Sequence, residues 1–291
     1  MSDLAAQIAE LNCWRGNVTP TPLAGGITNA NFIVEDQNMK FVVRAGEDIP
    51  LHHVMRFNEL AASKAGFAAE LSPEVVHSET GFMVLRFIDG KTLTEEDIRQ
   101  QSILARILPV LKRCHHNLPS YLQGPILSFW VFHILRDYCK TIKGGQGRLS
   151  DTLPGLMKNA EILEKAVGSI DIIFGHNDLL ASNFIDDGDK IWLIDWDYAG
   201  FNSPLFDLGG LASNNGLSTA QEEWLLENYF GTPLTDPLWS QYTAMKCASL
   251  LRETLWSMVS EIHSDLDFDY QSYTEENLVK YQTAYNDFIN L

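Results

Sequence analysis

Residues 174–184 read FGHNDLLASNF, and after a short polar spacer residues 191–197 read IWLIDWD. Asp178 and Asn183 lie five positions apart, and Asp195 follows twelve later at the end of an apolar run. Metal-dependent phosphoryl transfer calls for this inventory: one carboxylate takes or orients the proton of the attacking hydroxyl, and an asparagine and a second carboxylate hold Mg²⁺ against the phosphates. Asn183 offers a neutral oxygen, which suits a cation that prefers oxygen ligands and keeps several waters. Asp195 ends a strand-like run, so sheet hydrogen bonds can fix its backbone. Taken alone, Asp178 reads equally as a turn or helix-capping aspartate. Asp186-Asp187-Gly188-Asp189 mimics part of a calcium loop but lacks the terminal Glu, so it reads as a hairpin turn.

Other groups gather around this centre. Gly25, Gly26, Thr28 and Asn29 precede a strand-like segment and suit a loop closing over phosphates, although the GxxxxGK[ST] pattern is absent and a plain turn fits equally. Arg44 ends a second strand-like run, and Glu59 in the next helical segment is its natural counter-ion. A surface pair is the alternative. Asp207 can fix the Asp178 loop by accepting backbone N–H bonds. His176 reads as structural, and His115 and His116 as packing or helix-end capping groups.

Periodicity predicts a helix over 2–13, strands over 31–34 and 40–44, a helix over 51–65 ended by Gly66, and strands over 74–77 and 82–86. From Thr94, which with Asp97 resembles a capping box, helices are expected over 94–116, 127–142, 155–167, 218–229, 237–264 and 273–290. The expected class is α+β with two domains: an antiparallel-sheet unit over 1–89 and a mainly helical unit over 90–291. With 291 residues, 45% of them hydrophobic, the chain can bury a large core. A formal charge of −17 argues against a nucleic-acid partner and suits a cationic small substrate, although solubility alone accounts for it equally. No apolar run is long enough to span a bilayer. Four scattered cysteines without a CxxC pair suggest free thiols in a reducing cytoplasm.

Together these residues resemble the choline/ethanolamine kinase family, within the aminoglycoside-phosphotransferase-like, protein-kinase-like superfamily. HNDLLASNF and LIDWDYA carry the resemblance, supported by LWSMVSEIHSDLDFDYQSY at 255–273. The resemblance implies a protein-kinase-like two-lobed fold and ATP with Mg²⁺. It implies Asp178 as catalytic base, Asn183 and Asp195 as metal ligands, and Arg44 with Glu59 at the phosphates. Residues 25–29 become the nucleotide loop, and Arg86, Phe87 and Ile88 a hinge holding adenine largely through backbone groups. A small cationic alcohol would be received by Asp197, Trp256 and Tyr270, with Trp196, Phe201 and Tyr273 either on the same wall or in the core. Two positions depart from the family pattern. Glu253 stands where relatives often carry tryptophan, and Ser203-Pro204-Leu205 lacks a nearby arginine. If Glu253 faces the pocket, it favours an ammonium that can donate hydrogen bonds. Thiamine, an aminoglycoside or a sugar alcohol as acceptor, and a ligand-binding pseudokinase, stay open as alternatives. So do a monomer and a homodimer.

Overall fold

The computed structural model describes residues 2–23 and 29–291, so Gly25, Gly26 and Thr28 of the expected nucleotide loop lie outside the described residues. Helix α1 (Ser2–Ala9) leads into strands β1 (Thr21–Leu23), β2 (Ala30–Asp36) and β3 (Met39–Ala45). Helix α2 (Arg56–Ala68) follows, then β4 (Val75–Glu79) and β5 (Phe82–Arg86). The five strands form an antiparallel sheet in the order β1-β2-β3-β5-β4. Alternation assigns its faces. Phe41, Val43 and Val84 pack with Phe32, Val34, Ile8 and Leu11 on one side. Arg44 points from the other side to α2.

Helix α2 starts later than periodicity predicts, after a short 3-10 turn at Pro50–His52, and it runs through Gly66. Glycine serves there as a packing residue, because a Cβ at Gly66 would come within 2.7 Å of Ser72 Oγ and 3.1 Å of the Trp196 ring. The helix can therefore lie against the segment after Asp195.

The sheet lobe ends at the connection after β5. Phe87 still donates to Lys40 O in the sheet, whereas β6 (Lys91–Thr92) pairs with β8 (Phe184–Asp186) of the second lobe. The expected helix over 94–116 is two helices, α3 (Glu95–Ile98) and α4 (Gln101–His116). The capping box at the start of α3 is present: Asp97 N–H donates to Thr94 Oγ1, and Thr94 N–H donates to Asp97 Oδ2. Helices α5 (Val131–Gly144) and α6 (Leu153–Val167) come next, then β7 (Ile173–Gly175), β8, β9 (Ile191–Leu193) and β10 (Gly200–Asn202). Strand β7 pairs with β10, and β8 with β9. Asp186-Asp187-Gly188-Asp189 is the β8–β9 turn, in which Asp187 Oδ1 accepts from the backbone of Asp189 and Lys190.

Helix α7 (Pro204–Asn215) was not anticipated from sequence. It is buried on nearly every side, so it has no amphipathic period. Gly209 lets it press on α9 (Asp236–His263), since a Cβ there would lie 2.9 Å from Lys246 Cα. Helices α8 (Thr219–Phe230) and α10 (Tyr270–Ile289) complete a lobe whose apolar core also takes in Ala62 and Ala65 of α2. No helix among the described residues is long and apolar enough to cross a membrane.

Candidate active site

The loop after β7 carries Asp178 and the hairpin β8–β9 carries Asn183 and Asp195, so the two halves of the motif meet by strand pairing. His176 Nε2 donates to Ile194 O at 2.9 Å, tying the two halves together. Because a carbonyl only accepts, this bond fixes the proton on Nε2. Burial lowers the His176 pKa, in keeping with a neutral ring packed at a tilt against Trp196. The structural role expected of His176 is the one it has. Asn177 adopts φ +64° and donates through Nδ2 to Tyr198 O at 2.9 Å, while its Oδ1 accepts from Asn202. Asparagine tolerates this left-handed backbone better than most residues, and the turn it makes presents Asp178 to the cleft.

Asn183 Nδ2 donates to Asp178 O at 2.8 Å, which leaves Oδ1 as the atom able to meet a cation. Asp195, also left-handed at φ +68°, gives Oδ1 to Arg44 at 2.8 Å, and its side chain stays 25% exposed. An amide oxygen and a second carboxylate oxygen at the cleft fit the hard, oxygen-seeking Mg²⁺. Burial pushes the Asp178 carboxyl up to about 8. Arg252 pulls it back, and Glu253, Asp195 and Asp197 add to the push.

Arg44 reaches the helix acid as expected, with Nε 2.7 Å from Glu59 Oε1. Its Nη2 is also 3.0 Å from Asp197 Oδ1. Burial disfavours the charge on Arg44, but Asp195, Glu59 and Asp197 outweigh it and raise its pKa. Arg56, which sequence reasoning did not single out, bridges Glu59 at 2.6 Å and Asp197 at 2.9 Å. Oxygens of Glu59, Asp195 and Asp197 lie within 4.8 Å of one another, and these two guanidiniums balance them.

Asp197 is thereby placed away from its expected role. One of its oxygens meets Arg44 and Arg56, the other takes a bond from Asn29 Nδ2 at 3.1 Å, and the residue is 3% exposed. It lies with Arg44 and Arg56, and Asn29 joins it there. The backbone amides of the expected hinge differ in their partners. Arg86 N–H donates to Glu74 O, Phe87 N–H donates to Lys40 O, and the Arg86 side chain lies over Phe41. Sheet bonding uses both amides, so Ile88 is the hinge residue whose N–H takes no backbone partner among the described residues.

Helix α9 puts Glu253 and Trp256 on one face, three residues apart. Trp256 Nε1 donates to Tyr198 Oη at 2.9 Å, and its ring lies against His52, Tyr270 and Tyr273. Tyr270 is buried behind Trp256, and its hydroxyl takes a bond from Ser264. Tyr273 donates to Glu253 Oε1 at 2.8 Å, and Arg252 Nη1 meets Glu253 Oε2 at 2.8 Å. Trp196 packs in the core, 2% exposed, while Phe201 is partly exposed on β10 and meets Phe174 edge to face.

A match to the model of the choline/ethanolamine kinase family extends over residues 21–224. The chain belongs to that family. It is 29% identical to the protein LicA of Haemophilus influenzae over 72% of its own length, and spans 62% of that relative. It is 27% identical to a probable ethanolamine kinase of Arabidopsis thaliana over 86% of its length and 75% of the relative. A choline/ethanolamine kinase family protein from Mesorhizobium loti superposes with a TM-score of 0.79 at 26% identity, over 97% of this chain and 94% of the other. A spectinomycin phosphotransferase, at 14% identity and a TM-score of 0.61, shares the fold.

Asp207 of α7 supports the loop that carries Asp178. It accepts from His176 N–H at 2.8 Å, Asn177 N–H at 2.7 Å and His115 Nε2 at 2.9 Å, and is 1% exposed. Burial opposes its charge, but His115 and the other donors hold its pKa below the ordinary range. A depressed folded-state pKa gives stability that is present above the ordinary carboxylate range and is lost as pH falls through the folded value. Asp207→Asn leaves at least one of these amides poorly paired and is expected to cost on the order of 3 kcal/mol at neutral pH. Urea unfolding at several pH values tests this: the wild type and the variant should converge at acid pH, and a constant difference would refute it.

Proposed function

We propose that this chain transfers the γ-phosphoryl group of ATP to the hydroxyl of a small cationic amino alcohol, ethanolamine or choline. One observation carries the reading: Asn183 is bonded to the backbone of Asp178, and Asp195, whose charge acts on Asp178, pairs with Arg44, itself held by Glu59. In this reading Asp178 orients the acceptor hydroxyl and takes its proton as the new P–O bond forms. Arg44, held by Glu59, contacts the nucleotide phosphates, and Asn183 and Asp195 hold Mg²⁺. When bound, the metal offsets charge on the phosphates. Asn29 lies beside the phosphate chain, and the backbone at Ile88 meets adenine. The acceptor lies between Asp178 and the wall formed by Glu253, Trp256 and Tyr198.

The lobes are taken as 1–89 and 90–291, in line with the change of pairing partner between Phe87 and Lys91. Free thiols at Cys13, Cys114, Cys139 and Cys247 suit a reducing, ATP-supplied cytoplasm. Either a monomer or a homodimer accommodates the site. The test is ADP release with and without ethanolamine or choline, titrated with Mg²⁺ against EDTA. Release should require both acceptor and metal, and Asn183→Ala should raise the Mg²⁺ requirement about tenfold or more. Metal-independent release, or an unchanged requirement in the variant, would refute the assignment.

A further inference from the structure

Two features of the acceptor wall bear on which ammonium it takes. An ammonium without N–H groups is held by free aromatic faces, whereas one with N–H groups gains most from a carboxylate that accepts hydrogen bonds. The Tyr198 ring already carries a resident cation, with the Arg252 guanidinium carbon 4.2 Å from its centroid. Beside it, Glu253 is fixed by Tyr273 and Arg252 through one oxygen each, and its side chain keeps 22% exposure. Each carboxylate oxygen has a second acceptor position, so both can still take an N–H. The Arg252 side chain is only 5% exposed, so it acts on an acceptor through Glu253 rather than by contact.

We propose that the Arg252–Glu253 pair makes this site selective for acceptors whose ammonium carries N–H groups, with a primary amino alcohol used best and a trimethylated one worst. The proposal rests on the acceptor site described above. Glu253 is the specificity-determining group, Tyr273 and Arg252 hold it in place, and Trp256 supplies the apolar floor against which the carbon chain packs. A trimethylammonium head gains no hydrogen bond from Glu253, and its methyl groups keep the carboxylate from closing on the charge.

The test uses the full chain with Mg²⁺ and ATP, and measures kcat and KM for ethanolamine, its N-methyl and N,N-dimethyl derivatives, and choline. In the wild type, kcat/KM should fall along the series, by on the order of 100-fold from ethanolamine to choline, mainly through KM. Glu253→Gln should shrink that ratio to about tenfold or less by raising the KM for ethanolamine. Tyr273→Phe, which frees one Glu253 oxygen, should shift the ratio in the same direction but less. Choline used as well as ethanolamine by the wild type would overturn the proposal, and so would a Glu253→Gln ratio equal to the wild-type one. Turnover of none of the four would remove the amino-alcohol reading itself, and the proposal with it.

Discussion

Asp178→Asn should lower kcat by about 10²- to 10⁴-fold while leaving KM for ATP near its wild-type value. The amide is close in shape to the carboxylate and keeps a hydrogen-bonding oxygen, but it cannot accept the hydroxyl proton. Asp178 makes no ion pair with Arg44, so the substitution leaves the phosphate-side network intact. A pH profile separates a base from a merely structural carboxylate. Burial drives Asp178 up to about 8 before ligands arrive, and a cationic acceptor or a metal ion beside it pulls the value back down. The protonated form cannot take the proton, so activity falls on the acid side. That limb should lie between the ordinary carboxylate range and about 8. Asp178→Asn should abolish the limb. A variant with near-normal kcat, or with the same acid limb, would exclude Asp178 as the base.

Arg44→Met should have the largest combined effect on stability and nucleotide use. The Arg44 side chain is 10% exposed and pairs with Glu59, Asp195 and Asp197. Removing it leaves three carboxylates together with Arg56 as the remaining cation among them, and Arg56 reaches Glu59 and Asp197. Breaking a buried pair by deleting one partner costs about 3–5 kcal/mol, because the surviving charge stays buried. In the proposed reading the same change also removes a cation from the phosphates, so kcat/KM for ATP should fall by about 100-fold or more. The double variant Arg44→Met/Glu59→Gln distinguishes the two roles. Relieving the unpaired acid should recover much of the stability, while ATP use stays low. Recovery of both would make Arg44 a structural counter-ion only.

The sequence made the chemistry more legible than the scaffold. Asp178, Asn183 and Asp195 stood out because phosphoryl transfer needs these residue types, and short apolar runs beside them marked the strands that hold them. The sheet lobe was legible because its strands alternate, and Arg44 with Glu59 followed from strand and helix placement. Helix α7 was missed because nearly all of it is buried, and a helix enclosed on every side has no polar face to set a period. Gly66 read as a stop signal, yet it is an interior residue that allows close packing against Ser72 and Trp196. Asp197 was assigned to the acceptor from the family resemblance. Its actual partners, Arg44, Arg56 and Asn29, are between 141 and 168 residues away along the chain, and no local pattern reveals such pairing. Glu253 stood out as a departure from the family pattern, but no local pattern showed that Arg252 and Tyr273 would fix it.

The charge balance of the site follows from these long-range contacts. Arg44 and Arg56 answer Glu59, Asp195 and Asp197, and Arg252 answers Glu253. Asp178 lies between the two groups without a guanidinium bonded to it, which leaves it available for the hydroxyl.

The most direct test of the central claim is ³¹P NMR of the wild-type reaction with ATP, Mg²⁺ and ethanolamine, run beside Asp178→Asn. The account predicts that a phosphate monoester on the alcohol oxygen accumulates one-for-one with ADP in the wild type and is nearly absent in the variant. ADP formed together with inorganic phosphate alone, or equal ester formation by both proteins, would contradict it.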